Sequence, residues 1–143
     1  MDTGPFPSDF SNLRNLTALY LQSNGFYGWL PVNCSYWHNL SVLDLSNNGF
    51  NGSISPSILN LSHLTTLNLT NNSFSGEIPN LNIPSLQVLE MSNNNLTGTV
   101  PQSLQRFPSL SFTGNNLSPM SSPPPILSPA SLQFSELRSV VVL

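Results

Sequence analysis

The chain has 143 residues, only 6% of them charged, with no lysine and a formal net charge of −3. Globular domains typically carry roughly 25% charged residues; here the acids (Asp2, Asp9, Asp44, Glu77, Glu90, Glu136) and the arginines (Arg14, Arg106, Arg138) stand singly, so neither nucleic acid nor an anionic membrane is indicated as a partner. The lone Cys34 excludes an internal disulfide, and neither a leader nor an apolar run near the roughly 20 residues of a bilayer span is present, so the chain as written is expected to carry no secretion signal and to insert in no membrane.

Asparagine occupies nineteen positions, and five of them set a rhythm: Asn24, Asn48, Asn72, Asn94 and Asn115, at spacings of 24, 24, 22 and 21. In chain order, residues 1–12, with GPFPSDFSN from Gly4, carry only the second half of a unit. Residues 13–117 then hold the full frames. The first is Leu13, Leu16, Leu19, Leu21, Asn24, and the second is Trp37, Leu40, Leu43, Leu45, Asn48. Leu61, Leu64, Leu67, Leu69, Asn72 and Ile83, Leu86, Leu89, Met91, Asn94 follow, with a degenerate fifth in Leu104, Phe107, Leu110, Phe112, Asn115. Residues 118–143 turn rich in proline and serine, which favours an extended, disordered tail over a packed element.

Each frame has a physical reading. In LDL, LNL and LEM the two apolar residues point to one side of a short strand and the residue between them to the other. Each unit therefore offers one strand to a parallel sheet. The other apolar positions fill the interior between coils, and no unit can bury its face without a neighbour. The asparagines stand where the chain leaves the strand and turns inward, where a carboxamide can serve backbone N–H and C=O groups shut off from water. The second half of each unit also repeats: FYGWLP, FNGSIS, FSGEIP and LTGTVP, with an inward aromatic or leucine, a turn glycine and an apolar-proline exit. Ser55 stands where that exit has proline, with Pro56 displaced by one, and the outer strand of the second repeat is expected to be irregular there.

The pattern L-x-x-L-x-x-L-x-L-x-x-N followed by L-x-G-x-I-P resembles the plant-type leucine-rich repeat of receptor-like kinases, receptor-like proteins and polygalacturonase inhibitors. The resemblance implies an α/β repeat fold, a right-handed solenoid with a parallel concave β-sheet and an irregular or 3-10 convex side. The segment LTGTVPQSLQRFPSLSFTGNNLSP is similar to the last repeat and exit segment of plant receptor-like kinases that have short ectodomains and inactive kinase domains. That likeness implies a non-catalytic recognition module at the cell surface, with a peptide or a partner receptor ectodomain as ligand and no cofactor.

On the sheet, the residues between the strand leucines form a column, Tyr20, Asp44, Asn68 and Glu90, flanked by Gln22, Ser46, Thr70 and Ser92 on one side and Ala18, Val42, Thr66 and Val88 on the other. Tyr20, Gln22, Asp44, Asn68 and Glu90 are the candidate partner-binding residues, an aromatic with a few charges being suited to a contact site. Asp44 and Glu90 lie two strands apart, roughly 10 Å, but an open sheet offers no pocket to raise either pKa, which argues against a catalytic pair. His38 and His63 have no acid or cysteine at ligand spacing, so no metal is expected. Nine N-x-S/T sequons, at Asn15, Asn33, Asn39, Asn51, Asn60, Asn68, Asn71, Asn95 and Asn116, are candidate glycan acceptors if the chain enters the secretory path, and a glycan on Asn68 would obstruct the column. Other readings left open are a truncated product without independent function, a polygalacturonase inhibitor and an ice-binding repeat protein.

Overall fold

The structure, a computed structural model, describes residues 3–119. The expected Pro/Ser-rich tail, 118–143, lies outside them beyond Pro119. Ten short strands follow in chain order: β1 (Thr3–Pro5), β2 (Ala18–Tyr20), β3 (Gly25–Gly28), β4 (Val42–Asp44), β5 (Gly49–Ser53), β6 (Thr66–Asn68), β7 (Ser73–Glu77), β8 (Val88–Glu90), β9 (Asn95–Gly98) and β10 (Asn116–Leu117). They alternate between two parallel sheets, one in the order β2-β4-β6-β8 and the other β1-β3-β5-β7-β9-β10. Four coils (β2 with β3, β4 with β5, β6 with β7, β8 with β9) thus contribute a strand to each sheet, while β1 and β10 extend one sheet only; the return runs through a 3-10 turn such as Pro56–Asn60 or Gln102–Leu104 everywhere but after β7. This is a leucine-rich repeat solenoid: with every pairing made to the adjacent coil, stability is built from one interface to the next.

The frame residues supply the core. Leu40, Leu43, Leu45, Leu61, Leu64, Leu67, Leu69, Leu86, Leu89 and Met91 are buried, and between the two sheets Phe26, Phe50 and Phe74 stack at ring-centroid distances of 6.1 and 6.3 Å. Each buried leucine or phenylalanine contributes about 1.5–3 kcal/mol relative to exposure. Gly52 shows why the outer half of each unit needs its glycine: its φ is +76°, in the left-handed region that an L side chain enters only with strain.

Three positions depart from the sequence expectation. Leu13, expected inside, is 45% exposed, because β2 is an edge strand and no described coil covers its outer side. Leu110 is 74% exposed, and the fifth unit runs through a 3-10 turn at Ser109–Phe112 instead of a strand. The cause is Pro108. In the earlier coils Ser41, Thr65 and Gln87 occupy the position that enters the strand, and each donates its backbone N–H to the preceding coil, to Thr17, Ser41 and Thr65 respectively, at 2.7 to 2.8 Å. Proline has no N–H to give there, so the sheet ends at β8. Finally, the second repeat's outer strand is regular: β5 is five residues long, and Ser55 caps the following turn by accepting from the Ser57 N–H at 3.2 Å while donating to the Val32 carbonyl at 2.8 Å. Serine here replaces the fixed φ of proline with two hydrogen bonds, and Pro56 enters at the first position of the turn.

Candidate functional site

The four-stranded sheet pairs residue for residue: Tyr20 with Asp44, Asp44 with Asn68, and Asn68 with Glu90. The four side chains therefore share one face, about 4.8 Å apart from strand to strand. Tyr20 is 59% exposed and Gln22 is exposed, while Asp44, Asn68 and Glu90 are half-buried. The half-burial has a local cause. Asp44 Oδ1 accepts from the Ser46 N–H at 3.0 Å and the Ser46 hydroxyl at 2.7 Å, and Asn68 Oδ1 accepts from the Thr70 N–H at 3.1 Å. Each side chain thus braces the backbone two residues on, which restricts its rotamer. Glu90 Oε2 accepts from the Ser111 hydroxyl at 3.3 Å, so the fifth unit closes the column from beyond the last strand. The result is a preorganised strip with a phenol at one end, a carboxamide in the middle and two carboxylates. Asp44 and Glu90 lie on β4 and β8 with β6 between them.

The five rhythm asparagines are half-buried rather than fully buried. Asn48 Nδ2 donates to the carbonyls of Leu21, Leu45 and Ser46 at 2.9 to 3.1 Å, and its Oδ1 accepts from the Phe26 N–H at 3.2 Å. Asn72, Asn94 and Asn115 repeat that set, accepting from the N–H groups of Phe50, Phe74 and Leu96 at 3.0 Å, while Asn24 donates to Leu21 and Gln22. The residue before each is equally constrained: Ser23, Asn47, Asn71 and Asn93 have φ of 58° to 60°, and Gly114 has 73°. Asparagine tolerates the left-handed region better than other non-glycine residues. On the exposed side of this turn Asn71 Nδ2 donates to Asn47 Oδ1 at 2.6 Å and Asn93 Nδ2 to Asn71 Oδ1 at 2.9 Å, a second row of amides outside the first.

Of the nine sequons, eight have exposed asparagines and Asn68 is half-buried. Asn33 Oδ1 accepts from the Ser35 N–H at 2.9 Å, and Asn71 lies in the outer row of amides. His63 Nδ1 donates to the His38 carbonyl at 3.0 Å, which ties the two coils together through the backbone; among the described residues no group of three His, Cys, Asp or Glu is placed to hold a metal, and no helix is long and apolar enough to cross a membrane. Burial pushes the Cys34 thiol above its ordinary pKa.

Two residues carry roles the sequence reading assigned to none. Arg106 donates to the Leu86 carbonyl at 2.9 Å and the Ile83 carbonyl at 3.2 Å, with its guanidinium 4.2 Å from the Phe107 ring centroid. A lone arginine next to Phe107, the second apolar position of the fifth frame, is its only sequence signal. Trp29, at 75% exposure, directly follows β3 of the other sheet, and its indole lies against Gly52 of the next coil. The signal was a tryptophan at the position where the other units have serine, glutamate or threonine.

The family whose sequence model is described as Leucine Rich Repeat matches residues 39–61, 63–81 and 85–107. No curated protein sequence matches the chain. Among solved structures, the chain is similar to a chain of the BIR3–SERK2 complex of Arabidopsis thaliana, with 37% identity over 82% of this chain and 64% of that one and a TM-score of 0.78. It is likewise similar to the BIR2 ectodomain of the same plant, at 34% identity over 84% of this chain and 67% of that one, TM-score 0.78. A third is in the complex of the Arabidopsis receptor kinase HAESA with the peptide hormone IDA and the co-receptor SERK1, at 35% identity over 80% of this chain and 20% of that one, TM-score 0.76.

Proposed function

Because the chain belongs to the leucine-rich repeat family of plant receptor-kinase ectodomains, we propose that it is a non-catalytic recognition module that docks a partner ectodomain or a peptide at the cell surface. The docking surface is the strip Tyr20, Asp44, Asn68 and Glu90 with Gln22 at its side. One observation carries this reading: the strip is in register, its polar atoms are held by the Ser46, Thr70 and Ser111 contacts, and an exposed phenol sits at its end. An aromatic anchor with prepaid side-chain order is what a contact site needs. The relatives support the class of partner, since HAESA is recorded with a peptide hormone and with the co-receptor SERK1. A glycan on Asn68 would cover the strip, so this reading requires Asn68 to be unmodified in the binding form.

The test is surface plasmon resonance of the full chain over immobilised SERK1 and SERK2 ectodomains and the IDA peptide. Replacing Tyr20, Asp44 and Glu90 together by alanine is expected to weaken binding at least about tenfold, the equivalent of about 1.4 kcal/mol. Binding of the triple variant at the strength of the parent chain would sink the site assignment.

A further inference from the structure

The largest exposed aromatic side chain of the described residues lies away from the strip, and a glycan acceptor stands beside it. Trp29 is 75% exposed, and its indole lies across Gly52: a Cβ there would come within 2.8 Å of Cδ1 and 3.2 Å of Nε1. Gly52 is the middle residue of the sequon Asn51-Gly52-Ser53. The parallel register pairs Tyr27 with Gly49 and Gly28 with Phe50, so Trp29 and Asn51 are each the residue that follows a paired one. Asn51 is exposed on β5, and among the described residues no hydrogen bond engages its carboxamide, in contrast to Asn33, Asn68 and Asn71. Beside the indole is a cleft of about 270 Å³ bounded by Trp29, Leu30, Val32, Gly52, Ser53 and Ser55.

We infer that Trp29 is the seat for the first N-acetylglucosamine of a glycan on Asn51. A pyranose ring presents a face of C–H groups that packs on an aromatic face, and the exposed indole lies against Gly52, the residue that follows the acceptor in the chain. The Ser53 hydroxyl at the cleft's rim gives the acetamido group a polar neighbour. In the transfer, Asn51 Nδ2 bonds to C1 of the sugar as the bond from C1 to the diphosphate of a polyisoprenyl-linked oligosaccharide breaks. The amide loses one proton and the polyisoprenyl diphosphate leaves. The glycan then converts an exposed apolar side chain into a covered one and gives that sheet a hydrophilic exterior, away from the docking strip. This inference rests on the cell-surface reading above, since only a chain in the secretory path meets that donor.

The full chain, expressed behind a secretion leader in eukaryotic cells, is mapped for glycan occupancy by mass spectrometry. Its tryptophan fluorescence is then quenched with acrylamide. Trp37 is 1% exposed, so the quenchable emission is that of Trp29. Occupied Asn51 is expected to lower the quenching constant roughly twofold relative to the Asn51→Gln and Ser53→Ala variants, because one ring face is covered. Equal quenching with Asn51 occupied overturns the inference, as does an unmodified Asn51 in a chain glycosylated at Asn15 or Asn39. A chain that enters the secretory path and carries no glycan at any sequon overturns it too, while the docking test on the strip stands independently.

Discussion

Replacing Asn72 by leucine isolates what the asparagine rhythm contributes. Its Nδ2 reaches the carbonyls of Leu45, Leu69 and Thr70 at 2.9, 3.2 and 3.3 Å, and its Oδ1 takes the Phe50 N–H at 3.0 Å. These losses are unequal. The Leu45 carbonyl also receives Asn48, the Leu69 carbonyl Asn94 and the Thr70 carbonyl the Asn47 N–H, so all three keep a partner in the variant. The Phe50 N–H keeps none among the described residues, and Phe50 is fully buried. An orphaned buried donor costs about 1–3 kcal/mol, and the net loss of the donated bonds adds about 1 kcal/mol, giving about 2–4 kcal/mol. For an array of this size that is a fall of roughly 10 to 20 °C in Tm, read by circular dichroism. Asn72→Asp is expected to be no better, since it keeps the acceptor but sets a carboxylate against three carbonyls. A Tm within about 2 °C of the parent for Asn72→Leu would refute the reasoning.

The other predictions address the turn, the last coil and the buried thiol. Asn47→Val should lose about 1–3 kcal/mol in urea unfolding because a β-branched residue is strained at φ 58°, whereas Asn47→Gly should stay within about 0.5 kcal/mol; equal losses would mean that φ is not the issue. Arg106→Met keeps the stem near Phe107 but removes the donors to Leu86 and Ile83, and should cost about 1–2 kcal/mol by the same assay. Cys34 should resist a thiol-reactive dye in the native state and react on unfolding. Because burial raises its folded pKa, its contribution to stability is fully present below the ordinary thiol pKa of about 8.5 and is lost as pH rises through the folded value. A urea midpoint that climbs from pH 8 to 10 would contradict this.

The fold was legible because one solenoid coil repeats one set of demands. Leucines such as Leu43 and Leu45 two apart, and an asparagine three further on, mark strand, interior and turn with no long-range inference needed. Legibility failed where a single residue breaks the rhythm. Pro108 stops the first sheet by withholding one N–H, although its neighbour Leu110 keeps the frame. Ser55 departs from the pattern and still leaves the strand intact, because its hydroxyl supplies the cap. In the strip, spacing was enough to align Tyr20 with Asp44, Asn68 and Glu90. It did not disclose that Asp44 and Asn68 each spend one oxygen on their own strand, since a side chain bonded two residues along leaves no periodic trace. Spacing singles out Asn48 and says nothing of Asn47 before it, whose left-handed φ is visible only in the backbone.

The central claim is that partners approach the strip. It is tested most directly by site-directed photocrosslinking to the SERK2 ectodomain. A benzoylphenylalanine installed at Thr66, beside Asn68 on the four-stranded sheet, is expected to crosslink the ectodomain, and one at the exposed Leu59, on the 3-10 side, is not. Crosslinking from position 59 with none from position 66 would contradict the account.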